Sequence, residues 1–227
     1  MKTFSWNPEK NEQLKTERGI SFEDVVLAIE SGGLLDIVEH PNPGRYPNQG
    51  VYVVAIGSYV YLGQKERAHE VLNFLMKGRR PQAWNQWAEV VWRDPATPKF
   101  IGDMPHTWCG SDFIRSVRAM FVYEREQDTA LVLCAGIADA WLNDSAGVTV
   151  SNLPTYYGDI SYSIRKEGKK IVVSISGDVT MPTSKIVLKS PLSQRVKSAM
   201  IGNRKVKVLN GNELVIEELP AKVELSY

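Results

Sequence analysis

The residues best suited to chemistry crowd into one stretch, RRPQAWNQWAEVVWRDPATPKFIGDMPHTWCGSD, residues 79–112. Four of the six tryptophans fall here: Trp84, Trp87, Trp92 and Trp108. Four carboxylates are interleaved with them, Glu89, Asp94, Asp103 and Asp112, and His106 sits among them. Flat indoles beside acids suit a sugar site. A pyranose stacks its apolar C–H face on an aromatic ring, and carboxylates accept hydrogen bonds from its hydroxyls. Hydrolysis of a glycosidic bond needs two carboxyl groups, one donating a proton and one attacking or activating water. The competing reading is structural. The tryptophans would then fill a seam between helices and a β domain, Asp112 would cap a helix, Asp94-Pro95 would mark a turn, and His106 would be a packing residue.

The elements around this stretch follow from local signals. Asn7-Pro8-Glu9-Lys10 predicts a helix to about Lys15, with Asn7 as cap. Ser21-Phe22-Glu23-Asp24 reads as a capping box opening a helix that ends at Gly32-Gly33. Leu34 to Glu39 and Val51 to Leu62 read as strands, the latter rich in Val, Ile and Tyr. The character changes at Gly63. Lys65 to Lys77 has Ala68, Val71, Leu72 and Leu75 at helical spacing. Ser111 or Asp112 is expected to cap a helix through Glu124, with Phe113, Ile114, Val117, Met120 and Phe121 inward. From Ala130 onward short alternating segments separated by turn signals predict an antiparallel sandwich, with Ile171, Val173 and Ile175 on its buried face.

The fold class expected is α+β. Residues 1–62 form a small helix-helix-strand-strand unit, 63–129 a helical and Trp-rich middle, and 130–227 an antiparallel β-sandwich-like domain. The strand expected over 51–62 would leave an unpaired edge, through which a homodimer could form unless another element covers it.

Charge and cysteine content narrow the classes. Residues 1–62 hold five Lys/Arg and eight Asp/Glu, while 63–227 hold 22 and 18. After residue 148 the balance is twelve basic to seven acidic. That excess is spread along strands, where Lys usually serves solubility and edge protection, so the pattern does not point to nucleic acid. Cys109 and Cys134 are the only cysteines and make neither a disulfide framework nor a zinc site. No cofactor is implied. No apolar run approaches the roughly 20 residues that cross a bilayer, and MKTFSWNPEK has no signal-peptide core. A cytoplasmic protein is expected.

Two resemblances add to this reading. RPQAWNQWAEVVWRDPATPKFIGDMPHTWCGSDFIRS, AGIADAWL, LPTYYGDISYSI and ELPAKVELSY resemble the C-terminal region of bacterial six-hairpin glycosidase-like proteins, in which an (α/α)6 toroid precedes a β domain. The resemblance covers about residues 63–227. It implies Glu89 as a general acid or base, with Asp103 and Asp112 as further candidates. It also implies Trp84, Trp87, Trp92, Trp108 and His106 as substrate contacts. A toroid uses twelve helices, whereas residues 63–125 supply two, so most of the ring and the opposing carboxylate are expected to be missing. FSWNPEKNEQLKTERGISFEDVVLAI resembles the opening of BrnT-type ribonuclease toxins, matching at Phe4, Trp6, Pro8, Lys10, Asn11, Gly19, Ile20, Ser21 and Phe22. Arg18 stands where those toxins often carry His, and their basic C-terminal motif is not found here. The expectation is therefore a truncated, carbohydrate-active protein with residual glycan binding. The alternatives are a toxin-like ribonuclease module and an inactive gene-fusion product.

Overall fold

The computed structural model describes residues 7–18, 21–23, 38–39, 50–51, 56–79, 81–84, 86–89, 102–182 and 185–227. The chain forms two compact units, one of Met1–Val53 with Ala88–Pro105, the other of Val54–Trp87 with His106–Tyr227.

In the first unit, helix α1 spans Pro8–Arg18. The Asn7 Oδ1 accepts from the Lys10 N–H at 3.1 Å, the cap that the sequence predicts. The helix runs one turn beyond the expected Lys15. Asn11 is buried and ties α1 to the next segment: its Oδ1 accepts from Phe22 N–H at 2.7 Å, and its amide donates to both Glu23 oxygens at 2.9 and 2.7 Å. That hydrogen bonding, with backbone N–H donors, lowers the Glu23 carboxyl to about 2. Phe22 and Glu23 are helical as expected, and the rest of the predicted second helix lies outside the described residues. Strands β1 (Val38–Glu39) and β2 (Gly50–Val51) pair antiparallel.

The second unit corrects the sequence reading at its start. Residues Ile56–Tyr61 form helix α2, not the end of a strand. Ile56, Tyr59 and Val60 are buried at helical spacing, and this face packs on the two helices that follow. Tertiary packing overrides the β preference of Val, Ile and Tyr. Gly63 is the stop signal of this helix. With φ +72°, it lets Gln64 N–H reach the Tyr59 carbonyl at 2.8 Å, a Schellman closure. The change of character at Gly63 is thus a helix terminus, inside the second unit. The strand edge expected over 51–62 is absent at 56–61, which removes the ground for a homodimer there.

Helix α3 spans Lys65–Lys77, as predicted. Helix α4 spans Thr107–Phe121. It begins before the expected cap, and Val122 has already turned extended. Ser116, Ala119 and Met120 are its buried residues, while Ile114, expected inward, is 69% exposed.

The β region begins earlier than Ala130, with β3 (Val122–Arg125) and β4 (Ala130–Leu133). A 3-10 turn (Asp139–Leu142) leads to β5 (Val148–Thr155), β6 (Gly158–Glu167) and β7 (Lys170–Val179). Then come β8 (Ile186–Lys189), β9 (Ser198–Ile201), β10 (Arg204–Val206), β11 (Glu213–Ile216) and β12 (Ala221–Ser226). They form a six-stranded sheet, β10-β9-β12-β7-β6-β5, and a four-stranded sheet, β11-β8-β4-β3. The first is antiparallel throughout, whereas β4 and β8 pair parallel, against the all-antiparallel expectation. One apolar cluster joins the sheets. Leu131, Leu133, Ile186 and Leu188 from one meet Ile160, Ile164, Ile171, Val173 and Ile175 from the other. The predicted inward row Ile171, Val173 and Ile175 is at most 1% exposed. The architecture is α+β with a β-rich C-terminal region. Among the described residues no helix is long and apolar enough to cross a membrane.

Candidate functional site

The tryptophans separate by environment. Trp87 is 4% exposed, donates its indole N–H to the Leu75 carbonyl at 2.8 Å and lies 4.4 Å from the Phe113 ring. It fastens α3 to α4 and has no free face for a ligand. Trp84 and Trp108 are 61% and 77% exposed. Trp84 follows Pro81 in a tight turn closed by its own N–H on the Pro81 carbonyl at 2.9 Å. Trp108 sits in the first turn of α4, whereas the buried residues of that helix, Ser116, Ala119 and Met120, lie in its C-terminal half. Trp92 lies outside the described residues.

His106 occupies the N-cap position of α4 without a side-chain cap bond. Its backbone N–H donates to the Trp87 carbonyl at 3.1 Å, which fixes where α4 begins. Its Nδ1 is enclosed with no hydrogen-bond partner among the described residues, and its ring meets Trp108 edge-on at 6.2 Å. Asp112 lies within α4 rather than capping it, and pairs with Arg115 at 3.3 Å.

Glu89 and Asp103 belong to the first unit. The Glu89 N–H donates to the Asp103 carbonyl at 3.1 Å, so two exposed carboxylates are carried on neighbouring backbone. Of the three candidate acids, the structure brings these two together and places Asp112 in the other unit. Among the described residues no group of three or more His, Cys, Asp or Glu could hold a metal ion.

Other polar clusters escaped the sequence reading. Lys65 Nζ pairs with Asp139 at 2.6 Å and donates to the Pro191 carbonyl at 2.7 Å. Ser193 Oγ is 3.1 Å from Glu66, and His69 Nε2 is 2.8 Å from the Gly136 carbonyl, with Trp141 edge-on to its ring. These contacts dock the first turns of α3 on the β region. Arg118 donates to both oxygens of Glu124 at 3.0 and 2.8 Å, and Tyr156 N–H also reaches Glu124 at 3.1 Å. Burial is the largest single influence on the Glu124 carboxyl and raises it, but the Arg118 hydrogen bonds and charge and the Tyr156 N–H together outweigh burial and hold it below the usual range. Burial pushes the Cys134 thiol up to about 12, an inert core group. Sequence spacing carries no signal for these pairs: the partners of Lys65, Glu66 and His69 lie far along the chain, and Arg118 and Glu124 are near in sequence but on different elements, a helix and a strand.

Comparison of the chain with protein-family models, with curated proteins and with solved structures found no match. Fold and site together define an α+β protein with a β-rich C-terminal region and, among the described residues, two exposed indoles, Trp84 and Trp108.

Proposed function

We propose that this chain is a truncated, carbohydrate-active protein that contacts glycan through exposed indoles without completing hydrolysis. One observation carries the reading: Trp84 and Trp108 stand 61% and 77% exposed. Tryptophan is highly buried on average, so two open indoles in one unit have a use that packing does not supply. A pyranose face stacks on such a ring without needing an enclosed pocket. Retained turnover would need an acid and a second carboxylate in fixed geometry around a bound sugar. Asp112 is paired with Arg115, and Glu89 and Asp103 are exposed. That arrangement favours binding over turnover. With one or two stacking contacts against the cost of association, the dissociation constant should be on the order of millimolar.

The test is a tryptophan-fluorescence titration with neutral oligosaccharides beside an aryl-glycoside hydrolysis screen. Trp108→Ala and Trp84→Ala should each weaken binding severalfold, and turnover should stay at background. A flat titration for the wild-type chain would sink the glycan reading. Turnover abolished by Glu89→Gln would overturn the claim of incompleteness and identify the acid.

A further inference from the structure

One end of the six-stranded sheet gathers cations from distant parts of the sequence. The β6–β7 hairpin brings Lys166, Lys169 and Lys170 to this end. Lys170 stands opposite Ser226 of β12, and Ser226 stands opposite Ser198 of β9. The loop before β9 closes against them, with Lys197 N–H donating to the Ser226 carbonyl at 2.9 Å. Two hollows adjoin here, one of about 400 Å³ beside the hairpin and one of about 590 Å³ beside β10, and Gln194 lines both. Both volumes fall in the range of small-ligand sites, roughly 300–1,000 Å³.

The charged residues lining the two hollows have one sign, while Glu167, opposite Lys170 in the hairpin, and Glu224 stand beside the lining. Lys166, Lys169 and Lys170 line the first hollow, and Arg195, Lys197 and Lys205 the second, with no Asp or Glu among the described lining residues. Lys170 pairs with Glu224 at 3.0 Å, and the other five cations make no ion pair with any described residue. The Arg195 side chain is laid over Gly211, where a Cβ would come within 3.0 Å of its Nε. Cations of one sign lining a concave surface raise the local positive potential, which attracts an anion.

The lining also selects among anions. A nucleic-acid strand is held by aromatic faces interleaved with cations. Here Tyr227 is the aromatic among the described lining residues, and its hydroxyl is engaged 2.6 Å from Ser190 Oγ. Five of the six cations are lysines, point charges on flexible stems that suit separate anionic groups better than bidentate phosphate. Gln194 and Ser198 offer amide and hydroxyl groups to neighbouring sugar hydroxyls. We propose that the two hollows form one binding site for an anionic saccharide, a sugar chain bearing carboxylate or sulfate groups. The site is separate from Trp84 and Trp108 and stands without the indole reading.

The experiment is calorimetric titration of the full chain with an oligogalacturonate, a dextran-sulfate oligosaccharide, a neutral glucan of similar length and a single-stranded oligonucleotide. At least one acidic saccharide should bind at low salt and lose about tenfold or more in affinity at high salt as the charges are screened. Which of them binds identifies the anionic group. The double variant Lys169→Glu/Arg195→Glu should weaken that binding by about tenfold or more. Lys10→Glu, an exposed change on α1, should leave it unaltered. Both substituted cations are exposed, and unchanged far-ultraviolet dichroism checks that the β fold survives. Absence of binding to either acidic saccharide would overturn the proposal, as would equal affinity for the neutral glucan. Tighter binding of the oligonucleotide, lost in the same double variant, would reassign the surface to nucleic acid. Equal loss in Lys10→Glu would reduce the effect to overall charge.

Discussion

Glu124 is held by Arg118 on two sides and by the Tyr156 N–H, with its side chain 12% exposed. A charge in that position is stabilising only while its partners are present and it stays ionised. Its carboxyl lies below the usual range in the folded chain. The stabilisation is therefore present above the unfolded value of about 4.3 and is lost as pH falls through the lower folded value. Glu124→Gln should cost about 1–3 kcal/mol near neutral pH, read from urea unfolding. The gap from wild type should narrow well below pH 4. A gap of constant size across that range would show that the ion pair is not its source. The tryptophans make the same point about context. Trp84, Trp87 and Trp108 are chemically identical, yet a hydrogen bond to Leu75 and a neighbouring Phe113 make Trp87 a packing residue.

Elements are constrained by close approaches that propensity does not reveal. The segment after β4 passes so near α4 that Gly136 N–H donates to the Met120 carbonyl at 2.8 Å. A Cβ at Gly136 would fall 2.6 Å from both Met120 Cα and Cβ. Met120 is fully buried and has nowhere to retreat. Gly136→Ala should therefore destabilise by about 1–3 kcal/mol through overpacking. A thermal melt would show the loss as a fall of several degrees, at roughly 2–4 °C per kcal/mol for a domain of this size. An unchanged melting temperature would mean that α4 and this segment can separate at little cost. Helix α2 is the opposite case, where packing and a glycine stop redirect residues whose types favour a strand.

The whole second unit depends on the apolar layer between its sheets, and position in that layer decides the cost of a substitution. Ile175 is 1% exposed at the centre, whereas Ile114 on α4 is 69% exposed. Ile175→Ala should cost about 2–5 kcal/mol, since it leaves a cavity that strands on both sides resist filling. Ile114→Ala should stay within about 0.5 kcal/mol. Denaturant unfolding of the two variants checks the contrast. Similar losses at both sites would mean that Ile114 is covered in solution.

Where neighbours in sequence are also neighbours in space, the residues alone were enough. The Asn7 cap, the α3 limits Lys65 and Lys77 and the inward row Ile171, Val173 and Ile175 all rest on periodicity or on bonds within one turn. The α+β class and the β-rich C-terminal region follow from the same local signals. The candidate site was legible as residue types, indoles and acids in one stretch, but not as geometry. Tertiary structure decided which indoles face water, that Glu89 and Asp103 share a backbone hydrogen bond, and that Asp112 lies in the other unit. It also decided that 56–61 coils into a helix, that β4 and β8 run parallel, and that a hairpin, a loop and β10 pool their cations. Those outcomes depend on partners tens of residues away, and the free energy of packing against them exceeds the few tenths of a kcal/mol by which local preference separates helix from strand.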